Sequence, residues 1–427
     1  MVASLKNHIY NVLDLVTLVP SEVHRRPIGN PFGCQWLFFN NARCVSEQDN
    51  VSMTYETRIP RNTARALSSH SQPFMVTSAS VTRFHMDWSQ RSALVTGGTG
   101  FIGSCLVDAL LARNVRVIAA DQLIAPNTNP DVWKRRLDRY HQVCRKHGAD
   151  LNLEIIDLST ERDRLKHILT RNNVDTVFML SAVFGGRAFV DKQQAACSIG
   201  FAIDQNTIRA CQEAGTVERI NYSSSACVYP PSLNKPGYLL KEDDVLSTAE
   251  GFAGSDNLYG FQKLMTEMTL KVFNEEHGLK TSSCRFLTVY GAGEFPTTHA
   301  ISMLCERALR REDPFTVWGS GEQERGFTYV TDIVEGQILA AEKIADGTAV
   351  NLGWDKRYKI KDVVSMILDA SGHRPDKLVF DKSKPEGPFS RALDISLAKK
   401  LLGWEPKIDL KDGLTMTVNW MKQALST

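Results

Sequence analysis

Long apolar runs and a strong net charge are both missing from this sequence of 427 residues. A membrane-spanning helix needs roughly 20 consecutive apolar residues, and the longest early run, Tyr10 to Val19, is interrupted by Asn11 and Asp14. The 50 basic and 48 acidic side chains leave a net charge of +2, which indicates neither nucleic acid nor a membrane surface as the main partner. We therefore expect a soluble protein with neither kind of partner.

Paired cysteine spacings are missing as well. The nine cysteines form no C-x-x-C motif, so the sequence predicts neither a disulfide framework nor a zinc site. We expect no bound metal and a reduced, cytoplasmic setting. The hydrophobic fraction of 43% is that of a globular protein with a sizeable core, and the length suits one large or two closely associated domains.

Residues 1–88 lack regular hydrophobic periodicity and are rich in Ser, Asn and Arg. Low regularity of this kind predicts an irregular, poorly ordered N-terminal extension. Because the segment contains arginines and few acids, it would also suit an organelle-targeting leader. A simple tail, or a translation start at Met86, would explain it without any targeting function.

Strand and helix patterns alternate from Ser92 onward. Short apolar runs at 93–95, 115–120, 153–156 and 177–180 predict buried strands, and helical segments such as 101–111 lie between them. This alternation predicts an α/β fold with a doubly wound parallel Rossmann sheet. We assign residues 89–290 to this domain. Residues 291–427, with shorter segments and an amphipathic helix near 410–425, are assigned mainly to a smaller substrate-binding lobe.

A glycine-rich turn follows the first predicted strand, from Thr96 to Gly103. Glycine at 98 and 100 would let the backbone approach a pyrophosphate, and glycine at 103 would let helix and strand pack closely. The phosphates would then bind the N–H groups at the helix N-terminus. The residues expected to hold a dinucleotide here are Gly97, Gly98, Gly100, Phe101, Ile102 and Gly103.

An acidic residue, Asp121, ends the next strand, 18 residues beyond Gly103. A carboxylate at this place accepts hydrogen bonds from the adenine ribose hydroxyls and repels a 2′-phosphate, which favours NAD over NADP. Asp157 and Leu158, after the third strand, would flank the adenine. A helix cap is an equally good interpretation of Asp157.

Three residues downstream predict catalytic chemistry. Tyr259 and Lys263 are four residues apart at the start of a helical pattern, so their side chains share one face. An ammonium group beside a phenol favours the phenolate, which would make Tyr259 a base near neutral pH. Ser225 lies at the end of a predicted central strand, where side chains face the cofactor cleft. It is expected to bind the substrate hydroxyl that Tyr259 deprotonates.

From about Ser92 to Gln423 the sequence resembles the NAD-dependent epimerase/dehydratase family of extended short-chain dehydrogenases. The resemblance rests on the glycine turn, Asp121, Ser225, Tyr259 with Lys263, and the segment 285–291. It implies tightly held NAD, which oxidises a sugar carbon, usually C4, of a nucleotide sugar. It also implies a homodimer.

The residues after Ser225 favour epimerisation within this family. The chain has Ala226-Cys227 there, without the acids that the dehydratases and decarboxylases carry. Ser-Ala-Cys-Val-Tyr-Pro resembles the GDP-mannose 3,5-epimerases, which implies that Cys227 is an acid/base and that His299 takes the place of a catalytic lysine. Further parts of the resemblance imply substrate contacts at Gly185 and Gly186, and a diphosphate clamp of Arg325 and Arg391.

Other interpretations of these residues remain open. A UDP-sugar 4-epimerase, or another enzyme acting on sugar nucleotides with NAD, would not need Cys227 or His299 as catalysts. In that case Cys227 is an inert core thiol and His299 an ordinary loop residue. A catalytically silent NAD-binding regulator is a further alternative, although such a protein has no need for both Tyr259 and Lys263. Side chains interpreted as structural are Leu264, Met265 and Met268 in the core, and Lys134, Arg135 and Arg136 on a solvated helix face.

Overall fold

The computed structural model describes residues 86–123, 130–150, 152–183, 187–245, 254–296, 299–384 and 387–426. Most of the expected N-terminal extension, and the glycines at 185 and 186, therefore lie outside the described residues. Trp88, at the end of that expected extension, is buried in the core and packs against Phe178 with 6.2 Å between ring centroids.

The strands and helices alternate along the chain, as the apolar runs predict. The strands are β1 (Ser92–Thr96), β2 (Arg116–Asp121), β3 (Leu153–Ile155), β4 (Thr176–Met179), β5 (Arg219–Ser225), β6 (Lys280–Phe286), β7 (Val289–Tyr290), β8 (Phe315–Trp318), β9 (Glu324–Arg325), β10 (Thr328–Tyr329), β11 (Ala349–Leu352), β12 (Tyr358–Lys359), β13 (Leu378–Asp381) and β14 (Ser390–Arg391). The α-helices are α1 (Phe101–Leu111), α2 (Pro130–Lys146), α3 (Arg162–Arg171), α4 (Arg187–Lys192), α5 (Gln194–Cys197), α6 (Ile199–Ala214), α7 (Asn257–His277), α8 (Ala300–Leu309), α9 (Val330–Lys343), α10 (Ile360–Ser371), α11 (Ser396–Leu402) and α12 (Leu410–Ser426). Among the described residues, no helix combines the length and the apolar content needed to cross a membrane.

Seven strands form the central sheet in the order β11-β6-β5-β4-β1-β2-β3. All neighbouring pairs are parallel. The chain passes from β1 outward to β3 and then returns to β4 on the other side, so the strand order reverses between β1 and β4. This arrangement confirms the predicted doubly wound sheet, and it places the ligand cleft at the carboxyl ends of β1, β4 and β5.

The smaller lobe is built from short sheets after β6. Strands β12, β9 and β14 form one of them, β13 pairs with β8, and β10 pairs with β7. The structure does not divide the chain cleanly at residue 290, because α9 packs on β5, β6 and α1, and β11 extends the central sheet. The chain thus returns to the large domain at residues 330–352 before it completes the lobe. Strand β11 lies at the edge of the central sheet, so it has one neighbouring strand, β6.

Helix α7 shows where the sequence interpretation of the core was wrong. Leu264 is buried, as predicted, but the side chains of Met265 and Met268 are 38% and 54% exposed. Successive helical residues are about 100° apart, so Leu264 and Met265 cannot share one face. Met265, Met268 and Val272 instead form an outward apolar stripe on α7.

Candidate active site

The predicted glycine turn joins β1 to α1, and its shape depends on residues without a Cβ. Gly97 has a φ of +66°, and its N–H donates to the carbonyl of Ala120 at 2.8 Å. A Cβ at Gly98 would lie 2.7 Å from the Cβ of Ala119, and one at Gly103 would lie 2.1 Å from the carbonyl oxygen of Gly97. Both distances are well inside van der Waals contact. The turn therefore leaves the start of α1, at Phe101 and Ile102, open to a closely approaching phosphate.

Asp121 faces this turn from the end of β2. Its carboxylate accepts hydrogen bonds from the backbone N–H of Thr99 at 3.1 Å and from the Thr99 hydroxyl at 2.7 Å. The backbone N–H of Leu123 donates to it at 3.0 Å. A carboxylate fixed beside the glycine turn suits the hydroxyls of an adenine ribose, so the turn and Asp121 together fit NAD.

A second charged residue, Arg136, lies close to Asp121, contrary to expectation. Lys134 and Arg135 are exposed, as predicted for a solvated face, but Arg136 is half-buried. Burial lowers the pKa of Arg136, and the charge of Asp121 opposes this effect. The prediction of a solvated face is therefore wrong for Arg136, because α2 turns this residue toward the protein interior.

Asp157 and Leu158 follow β3 and have structural partners. The carboxylate of Asp157 accepts hydrogen bonds from the N–H and hydroxyl of Ser159, at 2.9 and 2.6 Å, and from the Gln122 amide at 3.2 Å. Leu158 is buried. Asp157 thus stabilises the turn at residues 158–160, whereas the N-cap of α3 is Glu161, so the capping interpretation of Asp157 is wrong. A contact of Asp157 with adenine stays a prediction.

Ser225, Tyr259 and Lys263 come together at the carboxyl end of β5. Tyr259 and Lys263 are buried on the first turns of α7, and the Tyr259 hydroxyl is hydrogen-bonded to that of Ser225. The Lys263 Nζ donates to the carbonyl of Ser223 at 2.9 Å and lies 5.7 Å from the centre of the Tyr259 ring. The three side chains that the spacing singled out therefore form one cluster.

The electrostatics of this cluster differ from expectation. Burial raises the pKa of Tyr259, and the neighbouring Cys227 and Asp204 raise it further, while the hydrogen bond with Ser225 lowers it. Burial also lowers the pKa of Lys263, although Asp204 and Glu267 oppose this. The groups of the chain itself therefore hold the phenol protonated. Contrary to expectation, the net direction of the Tyr259 pKa is upward.

Two buried carboxylates, Asp204 and Glu267, hold α7 against its neighbouring elements. Neither was expected from the sequence. One oxygen of Asp204 accepts hydrogen bonds from Tyr222 at 2.6 Å, Thr266 at 2.8 Å and Gln262 at 3.0 Å. This network ties α6, β5 and α7 together, and it fixes the helix that carries Tyr259 and Lys263. Buried acids of this kind have no short-range sequence signal, because their partners are on other elements.

The second carboxylate belongs to Glu267. It accepts hydrogen bonds from the Arg285 guanidinium on β6, at 2.7 to 3.2 Å, and from the Ser224 hydroxyl. Arg285 and Glu267 are 5% and 6% exposed. The pKa of Arg285 is raised, because the charge of Glu267 outweighs the opposing effect of burial. The carboxylate of Glu267 therefore connects α7 to β5 and β6, next to the cluster of Ser225, Tyr259 and Lys263.

Cys227 adjoins the cluster and has a half-buried side chain. Its backbone N–H donates to the Ser225 hydroxyl oxygen at 3.1 Å. Its Sγ lies 3.9 Å from Nη1 of Arg391, and it is one of the groups that raise the pKa of Tyr259. The thiol therefore lies in the candidate active site rather than in the interior of a core.

The two predicted clamp arginines are neighbours in the small lobe. Arg325 of β9 and Arg391 of β14 are cross-strand partners in parallel register. Arg325 is half-buried and donates to the carbonyl oxygens of Glu324 and Phe389. Arg391 is buried and pairs with Asp256 at 2.8 Å. The register brings the arginines together, and their binding of a diphosphate stays a prediction.

His299 precedes α8 and is paired with an acid that sequence reasoning missed. Its Nδ1 lies 2.5 Å from a carboxylate oxygen of Glu294, whose side chain is 4% exposed. Burial lowers the pKa of His299, but the hydrogen bond and charge of Glu294 outweigh burial, so that the net direction is upward. The charge of Arg136 acts in the lowering direction. His299 is therefore an oriented imidazole, with a carboxylate fixed on one ring nitrogen.

Known enzymes resemble the chain over most of its length. Residues 93–353 match the family described as NAD dependent epimerase/dehydratase. The chain is 30% identical to GDP-mannose 3,5-epimerase from Arabidopsis thaliana over 78% of this chain and 82% of that protein. A structure of UDP-glucose 4-epimerase from Thermotoga maritima with UDP-glucose has a TM-score of 0.65 and 26% identity, covering 78% of this chain and 99% of that one. UDP-glucuronic acid 4-epimerase from Bacillus cereus, with UDP-glucuronic acid and NAD, has a TM-score of 0.64, 27% identity and the same coverage.

Proposed function

Because the chain belongs to the NAD dependent epimerase/dehydratase family, we propose that it is a nucleotide-sugar epimerase whose reaction is the 3,5-epimerisation of a GDP-hexose such as GDP-mannose. NAD is the cofactor of this family, and the glycine turn and Asp121 are the residues that would hold it. The observation that carries the choice of reaction is the half-buried thiol of Cys227 beside Ser225 and Tyr259.

The proposed cycle begins with oxidation at C4 of the sugar. Ser225 and Tyr259 bind the C4 hydroxyl, and Tyr259 takes its proton in the phenolate form, which the positive charge of bound NAD would favour. NAD, when bound, supplies the hydride acceptor and a positively charged ring. Lys263 and the networks of Asp204 and Glu267 keep Tyr259 in place during this step.

A ketone at C4 makes the hydrogens on C3 and C5 acidic. Inversion of a carbon then needs a base on one face and an acid on the other. Cys227 and His299 are the groups proposed for this exchange, because an ordinary thiol titrates at about 8.5 and an ordinary imidazole at about 6.5, so both can take and give a proton. Arg325 and Arg391 are proposed to hold the diphosphate, and Gly185 and Gly186 to contact the sugar.

An isotope experiment tests this reaction directly. The purified protein is incubated with GDP-mannose in deuterium oxide, and the products are analysed by NMR. The proposal expects deuterium at C3 or C5 of the hexose, because protons removed there are replaced from solvent. The Tyr259→Phe variant serves as the control, since it cannot begin the cycle. An absence of label with the native protein would exclude 3,5-epimerisation of this substrate.

The second candidate function is 4-epimerisation of a UDP-sugar. It is favoured by the two solved neighbours, which are UDP-sugar 4-epimerases of similar fold. That reaction needs no proton exchange at C3 or C5. Cys227→Ala would then retain most activity on UDP-sugars, whereas 3,5-epimerisation predicts a loss of at least about a hundredfold. Measuring the same variant on both substrate classes separates the two.

The comparisons favour an enzyme over a catalytically silent NAD-binding protein. Nucleotide sugars are added to the NAD-loaded protein, and the absorbance of reduced NAD is followed. Transient reduction with any of them would exclude a silent role. The buried, interacting Tyr259 and Lys263 support an active enzyme.

Homodimerisation is proposed from an apolar surface on α6 and α7. Ile199, Met265, Met268 and Val272 are between 38% and 54% exposed, and the two helices pack side by side. A surface of this kind favours association with a second copy. Met268→Glu should convert the protein to monomers in sedimentation velocity, whereas Met416→Glu, at an equally exposed methionine on α12, should not. The expected cytoplasmic location stays a prediction that cell fractionation can test.

A further inference from the structure

The guanidinium of Arg391 is held on two sides, by a buried carboxylate and by a half-buried amide. Its Nη2 donates to the Asp256 carboxylate at 2.8 Å, and its Nε donates to the Asn234 side-chain oxygen at 2.6 Å. The side chains of Arg391 and Asp256 are 7% and 5% exposed. A planar guanidinium that is fixed at two nitrogens has little freedom left for the third.

The third nitrogen of Arg391 is directed at the candidate catalytic thiol. Nη1 lies 3.9 Å from the Sγ of Cys227. The backbone ties the same groups together, because the N–H of Asp256 donates to the carbonyl of Cys227 at 2.8 Å. The first turn of α7 packs so closely here that a Cβ at Gly260 would lie 1.9 Å from that carbonyl oxygen. Cys227, Asp256 and Arg391 therefore form one rigid unit.

We propose that Asp256 and Arg391 are positioning residues for Cys227: Asp256 holds the guanidinium against the thiol, and the guanidinium stabilises the thiolate. This deepens the proposed function, on which its catalytic meaning rests. In the reaction, the carbon–hydrogen bond at C3 or C5 breaks, its proton forms the S–H bond of Cys227, and its electron pair enters the enolate of the ketone. The thiolate needed for this step is the form that a nearby cation favours.

Several charged or titratable groups surround the thiol. Arg391 faces it from β14, Asp256 from the segment before α7, Tyr259 and Lys263 from α7, and Cys197 from α5. The two positioning residues carry opposite charges, so they act on the thiolate in opposite directions. Removing the positive charge should disfavour the thiolate, and removing the negative charge should favour it. Loss of packing alone would not produce such opposite effects.

Alkylation of Cys227 in the full-length, NAD-loaded protein tests the proposal without any sugar substrate. The rate of reaction with iodoacetamide is measured against pH, and the modified peptide is quantified by mass spectrometry. Arg391→Gln should move the midpoint about one pH unit higher, and Asp256→Asn, which keeps an oxygen acceptor for Nη2, should move it lower. Arg391→Lys should restore part of the native midpoint, because it retains the positive charge.

Shifts in the same direction for both substitutions, or no shift in either, would overturn the proposal. So would an unchanged midpoint in Arg391→Gln combined with a raised KM for the nucleotide sugar, because Arg391 would then serve only the diphosphate. Cys227→Ser identifies the peptide signal, and circular dichroism verifies the fold of each variant. The alkylation result does not depend on the substrate, so a failed isotope experiment with GDP-mannose would contradict the proposed function and leave this coupling intact.

Discussion

The carboxylate of Glu294 lies 2.5 Å from Nδ1 of His299, at the start of α8. An ionised carboxylate can only accept, so Nδ1 must donate, and in the neutral ring the lone pair then belongs to Nε2. The hydrogen bond fixes the tautomer in the way that carboxylates orient imidazoles in many catalytic sites. His299 is therefore a paired histidine with an oriented ring.

Glu294→Gln should lower the pKa of His299. Glu294 raises this pKa through its hydrogen bond and its charge, whereas burial and Arg136 lower it, so loss of the Glu294 charge shifts the balance downward. The native pair should accordingly stabilise the fold below the pKa of the unfolded histidine, and this contribution is lost as the pH rises through the folded-state pKa. An NMR titration of the His299 ring measures the change directly.

The matched control is Glu306→Gln, which removes the same charge from an exposed ion pair with Arg310 on α8. It should leave the His299 titration unchanged. If Glu294→Gln left the midpoint in place or raised it, the pair would not control this histidine.

Gly103→Ala should damage the cofactor turn severely. Its Cβ would lie 2.1 Å from the carbonyl oxygen of Gly97, and its three nearest atoms would all be backbone atoms of Gly97 and Gly98, which cannot rotate away as a side chain can. We expect a loss of at least about 2 kcal/mol of unfolding free energy and of NAD retention. Thermal unfolding and the NAD content of the purified protein are the measurements. Gly100→Ala, whose Cβ would meet one atom at 3.0 Å, should cost clearly less unfolding free energy, and equal losses of stability in the two variants would contradict the steric argument.

Arg285→Met should destabilise the fold by about 3–5 kcal/mol, because it leaves the buried charge of Glu267 unpaired. Denaturant unfolding measures this loss. Adding Glu267→Leu to the same chain removes the unpaired charge, so the double variant should be more stable than Arg285→Met alone. A double variant that is less stable would show that the carboxylate contributes chiefly through Ser224.

Thr288→Asn should stabilise the protein by about 1 kcal/mol. Thr288 has a φ of +41°, a left-handed conformation that β-branched residues adopt at a cost and asparagine tolerates. Thermal unfolding monitored by circular dichroism detects the gain. Thr288→Val keeps the branched Cβ and should bring no gain, so a similar rise in both variants would point to a cause other than backbone strain.

Local signals in the sequence were sufficient for much of the site. The glycine turn, Asp121, and the pair of Tyr259 and Lys263 depend on residues close together in the chain, on turns and helices whose geometry repeats in many proteins. The positions of β1 to β4 were predicted to within one residue. The expected burial was wrong for β3, where Glu154 interrupts the apolar run and Ile155 is exposed. The interpretation failed for Met265 and Met268, because a helix with apolar residues on two faces does not reveal which face meets the core.

The sequence by itself determined the doubly wound domain, the cofactor turn and the candidate trio of Ser225, Tyr259 and Lys263, because each of these follows from the spacing of residues along one or two elements. Only the tertiary structure decided the surroundings of those groups. It placed Asp256 against Arg391, Glu294 against His299, and Glu267 against Arg285. It also buried Tyr259, which raises the pKa of the phenol, whereas the spacing with Lys263 predicted a lowered pKa. Desolvation and ion pairing depend on which distant segments pack around a group, and no spacing rule along the chain contains that information.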